Sequence, residues 1–567
     1  MKPIPLSLLC AALMCMLIPA CGGKLPTKVN TESPAQQVKP AVPAALFTDI
    51  TDKAGINWVH NPCRTGKKLL PETVGGGGGF IDYDNDGFQD IILINGGPLP
   101  GYTGKPGRLA LYHNNGNGTF TDTTAASGLD FKGYGFSAVV GDYDNDGWPD
   151  IFITALDGCR LYHNEHGHFK DVTAQACVGV KGFCTAGAWV DYDRDGKLDL
   201  FVASYVEWTA ETDLPCGSPS ARQYCAPNQY KGSAPHLFHN LGNGKFEDVS
   251  EKAGVLGHPG KNLGIAIYDF NHDGWPDIFL ANDTVANVLL INNKNGTFTD
   301  QALTAGVALA DQGGATGSMG VDVATPFCDG KAVIGIGTFA TQEASLFAST
   351  STGDGPLLFE NRKREAGLAD PTHASTTFGA AFFDANLDGY PDLLLVNGHI
   401  DDDPSLRIGN GQVPYRQLPQ LFMNTGDGKF ADADKSAGFA KPIIGRGLAV
   451  ADIDNDGRQD LLIFENGGPV RLWHNDTPPV GKWLGVKLVG TKSPKDGSGA
   501  MVTISGPGWE QTLCAGTARS YLSACDARVH FGLGNRTKPD KLIIRWTSGT
   551  VTTLNNPETG KYLTVKE

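Results

Sequence analysis

Six stretches of this 567-residue chain share one frame, D-x-[DN]-x-D-G-x-x-D, with oxygen-bearing side chains at alternate positions of a tight loop. The first three sets are Asp82, Asp84, Asp86 and Asp90; Asp142, Asp144, Asp146 and Asp150; and Asp191, Asp193, Asp195 and Asp199. The other three are Asp269, Asn271, Asp273 and Asp277; Asp384, Asn386, Asp388 and Asp392; and Asp452, Asp454, Asp456 and Asp460. Side chains at positions one, three and five converge on one point, position seven adds its backbone carbonyl, and the ninth residue, always Asp, offers two oxygens. Glycine at position six permits the sharp turn. Hard cations with roughly six to eight oxygen ligands need this geometry, so the loops read as calcium sites, about six structural ions in all. Asn271 and Asn386 keep an oxygen and drop a charge, so those two sites are expected to empty first. A helix-flanked calcium hand does not fit. No Glu stands at position twelve, and β-type runs such as Ile91-Ile92-Leu93-Ile94 follow the loops.

The elements that carry these loops announce themselves through a second recurring phrase. It reads Leu111-Tyr112-His113-Asn114-Asn115-Gly116-Asn117-Gly118-Thr119-Phe120 and returns at residues 161–171, 237–248, 289–300 and 421–432. Apolar-alternating runs around Asn-Gly punctuation are hairpins. Each unit is then strand, metal loop, strand, connection, strand, turn, strand, which is a propeller blade. The gap between Asp269 and Asp384 is too long for one unit. Gly320-Val321-Asp322-Val323-Ala324, running into Thr325-Pro326-Phe327-Cys328-Asp329-Gly330, reads there as a blade whose loop has lost its carboxylates. Phe47-Thr48-Asp49-Ile50-Thr51 is an orphan outer strand, and Leu472-Trp473-His474-Asn475 lacks one. Joining them closes a ring and removes two exposed edges. The expected fold is all-β: a seven-bladed β-propeller with calcium-binding loops plus a small C-terminal β module.

These phrases resemble the FG-GAP/VCBS repeat proteins across residues 46–478. From residue 479 a different segment runs to 567. There Gly481-Lys482-Trp483-Leu484-Gly485, Gly499-Ala500, His530-Phe531-Gly532-Leu533-Gly534 and Arg545-Trp546-Thr547-Ser548-Gly549 resemble the ASPIC/UnbV domain. Thr547 stands where that family usually has Pro. The combined order is similar to bacterial relatives of the cartilage acidic protein family. The resemblance also implies that Glu72-Thr73-Val74-Gly75 and Asn397-Gly398-His399 match family phrases, without assigning them a role.

The ends and the composition set the compartment. Residues 1–20 read as a signal peptide of the lipoprotein type, with Cys21 as the lipidated residue and an ordinary secretory signal as the alternative. Residues 21–45 read as a flexible tether, so the expected location is the cell envelope, held to the membrane only through lipid. A formal net charge of −15 is mostly ligand charge, which six divalent ions would largely cancel. No basic run gives a nucleic-acid footprint. Of the 12 cysteines, the spacing offers Cys177/Cys184, Cys216/Cys225 and Cys514/Cys525 as disulfides in an exported chain, and at least one thiol stays free.

All the metal loops fall on one face of the disc, so function is expected on the other. That face receives the long connections 207–235 and 397–418 and the glycine-rich approach to blade one. No nucleophile, zinc or phosphate-loop fingerprint occurs in the sequence. The first expectation is therefore a recognition or scaffold protein for polysaccharide or an envelope-protein partner. The alternative is a carbohydrate-active, lyase-like enzyme, by analogy of fold alone. In it His60 or His399 acts as acid/base, Glu72 as its carboxylate partner and Arg446 as an anion clamp.

Overall fold

The computed structural model describes residues 45–567 apart from 157, 219, 353–354, 402–406, 409–410 and 434–436. The signal peptide, Cys21 and nearly all of the tether fall outside the described residues. Among those described, no helix is long and apolar enough to cross a membrane.

Seven sheets, each built on four antiparallel strands, succeed one another along the chain. Their first strands are Gly78–Ile81, Gly135–Gly141, Cys184–Val190, Asn262–Tyr268, Ser318–Ala324, Thr377–Phe383 and Gly445–Ala451. Each contacts the first strand of the next sheet, and Gly445–Ala451 contacts Gly78–Ile81. Phe47–Asp49 supplies the outer strand of the last sheet, with Phe47 opposite Asn475 and Asp49 opposite Trp473. Sequence pattern follows position in this ring. The first strands touch blades on both sides and are buried along nearly their whole length, whereas outer strands such as Phe120–Asp122 bury one residue and expose two. Full burial of each Val, Ile or Phe along the inner strands contributes about 1.5–3 kcal/mol.

The fifth blade, Ser318–Ala324 onward, is present; its loop keeps one carboxylate of the frame, Asp329 at position five, which accepts the Lys331 amide (3.1 Å), and it is held by the C-terminal module. Thr325, at the place of the first ligand, accepts the Thr512 amide on Oγ1 (2.9 Å), and the Glu510 amide donates to Cys328 O (2.9 Å). Protein hydrogen bonds do there what a cation would do in the other loops.

The C-terminal module packs Lys482–Val489 between Val529–Gly534 and Tyr562–Lys566, over a second sheet ordered Trp509–Cys514, Met501–Gly506, Lys541–Arg545, Val551–Asn555. Leu484, Val486, Val502, Ile544 and Trp546 form its core. It is not a free-standing tail. Residues 517–526 leave it and run down the propeller axis. Thr517 Oγ1 donates to Val140 O (2.6 Å), Ser520 N to Val321 O (2.9 Å), Tyr521 OH to Val74 O (3.1 Å) and Asp526 N to Val450 O (3.0 Å). Gly78 and Gly79 pair in parallel with Ser523 and Ala524. The run Gly75–Gly79 exists for this insertion: a Cβ on Gly77 would lie 1.9 Å from Leu522 O, and one on Gly79 1.9 Å from Ala524 O.

The disulfide expectations need correction. Among the described cysteines, Cys216–Cys225 is the one bridge. Cys184 begins an inner strand and turns into the core beside Cys159, while Cys177 is exposed after a left-handed turn. Cys525 sits in the axis, where its sulfur accepts the Val450 amide (3.4 Å), and Cys514 stays free at the end of its strand.

Candidate functional site

Each carboxylate loop is wrapped by its own backbone. In blade two, Gly147 N donates to Asp142 Oδ2 (2.8 Å), Asp146 N to Asp142 Oδ1 (3.1 Å) and Trp148 N to Asp146 Oδ1 (2.8 Å). Position six is left-handed, as at Gly147 (φ 96°), which glycine adopts freely. Position four is left-handed as well in all six loops, from Asn85 (φ 58°) to Leu387 (φ 60°). Leu387 holds that conformation without the local hydrogen bonding that Asn offers. The sixfold recurrence of this shape fixes where the carboxylates point.

The ninth residue anchors the loop to the sheet. Asp150 accepts Tyr143 N on Oδ2 (3.2 Å) and Asn164 N on Oδ1 (2.8 Å), and the same pair of bonds recurs at Asp90, Asp199, Asp277, Asp392 and Asp460. That Asn then reaches across the blade boundary. Asn164 Nδ2 donates to Pro149 O in its own loop (3.0 Å) and to Tyr83 O in the preceding one (2.9 Å). Asn114, Asn240, Asn292, Asn424 and Asn475 repeat the bridge, onto Ile453, Tyr143, Tyr192, Pro326 and Ala385. These six asparagines are missed when the recurring phrase is read for its Asn-Gly turn. Their recurrence at the end of the third strand in six of the seven blades is the signal that could have found them.

Electrostatics shows what the loops call for. Burial, reinforced by neighbouring carboxylates, pushes Asp90 up to about 9, and Asp142 and Asp384 each up to about 8. Burial also raises Asp277, Asp392 and Asp460 well above the carboxylate range. Carboxylates forced together in a low-dielectric setting demand a cation or a proton. Asp82, Asp84 and Asp86 bring oxygens within 4.8 Å of one another, and Asp144 and Asp146 bring oxygens as close to each other and to a ring nitrogen of His163. The donor set is oxygen-rich and fits a hard divalent ion.

Histidine divides the loops into two kinds. His113, His163 and His239 place Nδ1 3.2–3.4 Å from the position-three carboxylates Asp84, Asp144 and Asp193. His474 places Nε2 3.2 Å from Asp454. In the two loops where position three is Asn271 or Asn386, the His is replaced by Ile291 or Met423. An imidazole is kept only where there is a third-position charge to meet it.

The metal-loop face is covered. Thr547 Oγ1 donates to Asp191 Oδ2 (2.7 Å), Tyr562 OH to Asp452 Oδ2 (2.8 Å) and Lys495 N to Asn145 Oδ1 (2.7 Å). Asp142 N donates to Asp496 Oδ2 (3.3 Å), and a Cβ on Gly532 would sit 1.8 Å from Asp384 Oδ2. The module therefore lies directly on the first ligands of the loops.

On the opposite face the four candidate catalytic residues do come together, yet without forming a catalytic set. Arg446 donates through Nε to Thr73 O (2.8 Å), through Nη1 to Gly398 O (3.0 Å) and Gly445 O (2.7 Å), and through Nη2 to His399 O (3.3 Å). Its guanidinium lies 3.8 Å over the Phe378 ring. It ties loops together, and is spent as an anion clamp. Glu72 meets neither histidine: Oε1 accepts Thr65 Oγ1 (2.8 Å) and Oε2 accepts Tyr224 OH (3.0 Å). Burial, then Arg446 and Arg64, lowers His60 to about 3, so its ring is neutral. His60, Glu72, His399 and Arg446 are all at most 2% exposed. The long loops close over them, with Lys68 on Asp401 (2.5 Å) and Arg64 on Tyr415 OH (2.7 Å).

Two known sequence families match the two parts of the chain. An FG-GAP-like repeat family matches residues 82–153, 143–202, 224–280, 269–324 and 408–463, and the family described as ASPIC and UnbV matches 490–567. Human cartilage acidic protein 1 is 24% identical over 321 residues, 55% of this chain and 44% of that protein. The Xenopus tropicalis protein of that name is 26% identical over 319 residues, 54% of this chain and 45% of that one. The chain thus spans less than half the length of the curated relatives it matches. Among solved structures, an exotype rhamnogalacturonan lyase is 12% identical, with a TM-score of 0.30 over 84% of this chain and 80% of that one. Repeats, loops and C-terminal segment together identify the chain as an FG-GAP-like repeat protein with a C-terminal ASPIC and UnbV domain.

Proposed function

We propose that this protein is an exported, calcium-stabilised recognition scaffold that presents the propeller face opposite its metal loops to a glycan or an envelope-protein partner. One observation carries the reading. Residues 517–526 fill the axis and the C-terminal module covers the loop face, while the acid/base candidates on the remaining face are buried and committed. A body sealed at the axis and rigidified by about six calcium ions has its long-loop surface left to work with, and such loops on a rigid frame commonly bind partners. The Cys216–Cys225 bridge, inside one of those loops, supports an oxidising compartment. Lipid anchoring through Cys21 completes the proposal.

The test is binding of the full chain to a defined glycan panel and to purified envelope proteins, in calcium and after chelation. Calcium-dependent binding without conversion of the ligand is expected, and Glu72→Gln and His399→Gln should leave it free of any turnover effect. Conversion of a bound glycan, lost in those variants while the melt is unchanged, would replace recognition with catalysis.

A further inference from the structure

A depression of about 1060 Å³ opens on the face away from the metal loops, between the last blade and the first. It is larger than the roughly 300–1,000 Å³ of ordinary small-molecule pockets, so it suits an extended ligand. Its walls are the approach to blade one and the connection between that blade's second and third strands. The approach is held by its side chains, the connection by two backbone carbonyls and the Tyr102 hydroxyl. Trp58 Nε1 donates to Arg108 O (2.8 Å), and Asn61 Nδ2 donates to Tyr102 OH (2.9 Å) and Lys105 O (2.9 Å).

The side chains those contacts leave outside are cationic. Arg64, Lys105 and Arg108 line the depression and are exposed, against a single lining carboxylate, Asp122. Lys105 and Arg108 have no ion-pair partner among the described residues, and Arg64 spends one N–H on the neutral Tyr415 hydroxyl. Lys67 extends the charge outward, its Nζ lying beside Gly101. On a chain of net charge −15, whose acid is gathered in the loops of the other face, this is a concentrated positive field. Tyr102, half-buried, adds ring surface beside the amides of Asn57 and Asn61, and the edge of buried Trp58 forms part of the wall.

We propose that this depression binds an acidic oligosaccharide, with Arg64, Lys105 and Arg108 taking its anionic groups and Tyr102 and Trp58 bordering its rings. Planar guanidinium forks pair two-fold with carboxylates or sulfates, and aromatic edges flanked by amides suit a hydroxyl-bearing ring. The inference rests on the recognition reading and names its ligand class.

Calorimetric titration of the calcium-loaded full chain tests it with four probes: a glucuronate-containing tetrasaccharide, the same sugar with its carboxylates reduced, a sulfated neutral tetrasaccharide and tetraglutamate. Binding of the uronate or the sulfated sugar, weakened by salt, is expected, and whichever binds identifies the anion. Arg108→Gln and Lys105→Gln should each weaken it about tenfold with the melting temperature unchanged. Equal binding of the reduced sugar, equal binding of tetraglutamate, or affinity unmoved in both variants overturns the proposal. No binding of any acidic sugar also overturns it, and binding of another glycan or protein in the panel above would then leave the recognition reading standing.

Discussion

Thr547 Oγ1 sits 2.7 Å from Asp191 Oδ2, so a hydroxyl of the C-terminal module is hydrogen-bonded to the first ligand of a metal loop 356 residues earlier in the chain. Its neighbour Arg194 donates to Thr547 O in return. The residue that departs from the family's usual Pro is thus the one that touches the loop. A cation held by Asp191 would share that carboxylate with the docked module, so metal binding and docking should be coupled.

Chelation should therefore do more than lower the melt. Each ion bound only by the folded state stabilises it by about 2.7 kcal/mol at a hundredfold excess over its dissociation constant. Removing calcium should make the junction near residue 480 cleavable by protease, and Thr547→Val should do so at higher free calcium than the parent. The variant should lose about 1.5–3 kcal/mol, the range for a hydrogen bond to a charged group. Protease resistance unchanged after verified metal removal would refute the coupling.

The six loops should not empty together. Asn271 and Asn386 each remove one ligand charge, and Ile291 and Met423 stand where the other loops carry His. Calcium isotherms should show two weak sites and four tight ones. The paired substitution Asn271→Asp with Ile291→His should move one site from the weak group to the tight group. A single class of six sites would contradict this.

The loops, their blade and its metal-free sibling were legible because they repeat, and repetition shows through local spacing alone. Three things were not, each for a physical reason. The axial insertion of residues 517–526 is a long-range fit, and its one sequence trace, the glycines at 75–79, reads equally well as a flexible turn. The asparagine bridge is hidden inside a phrase whose Asn-Gly turn is louder. Arg446 looked like an anion clamp because a lone Arg on a loop face usually seeks a carboxylate or phosphate, yet here backbone carbonyls and the Phe378 ring surround it.

The bridge makes a contrast between two asparagines of one motif type. Asn164→Ala removes donors from the buried Tyr83 O and the part-buried Pro149 O, which should cost about 1–3 kcal/mol, mostly at Tyr83. Asn117→Ala, in an exposed turn, should stay within about 0.5 kcal/mol. Urea unfolding in saturating calcium measures both, and equal losses would mean the bridge is decorative.

Acid should weaken the fold through His60. Burial, with Arg446 and Arg64 adding to it, lowers its pKa from 6.5 to about 3. Because the folded value lies below the unfolded one, the contribution is full above pH 6.5 and is lost as pH falls toward 3. Between pH 7 and pH 5.5 the loss should be about 1 kcal/mol. His60→Gln should abolish that part of the slope while calcium remains bound, and an identical slope in the variant would assign the acid sensitivity elsewhere.

Within the axis, Arg519 meets Asp322 through two hydrogen bonds, Nε to Oδ1 (2.9 Å) and Nη2 to Oδ2 (2.6 Å), and also donates to Phe382 O (2.6 Å). Asp322 belongs to the inner strand of the fifth blade, whose loop lacks the full ligand set, so this pair fastens the axial segment where no cation would help. With Asp322 buried and Arg519 half-buried, the pair gains Coulomb energy and loses hydration in similar amounts, whereas removing Arg519 strands the buried carboxylate. Arg519→Met should cost about 3–5 kcal/mol. Adding Asp322→Asn, which keeps an acceptor for the Phe382 amide, should restore most of that loss. A double variant whose loss equals the sum of the two single losses would show that the charges do not act as a pair, and that the insertion is held by its backbone pairing alone.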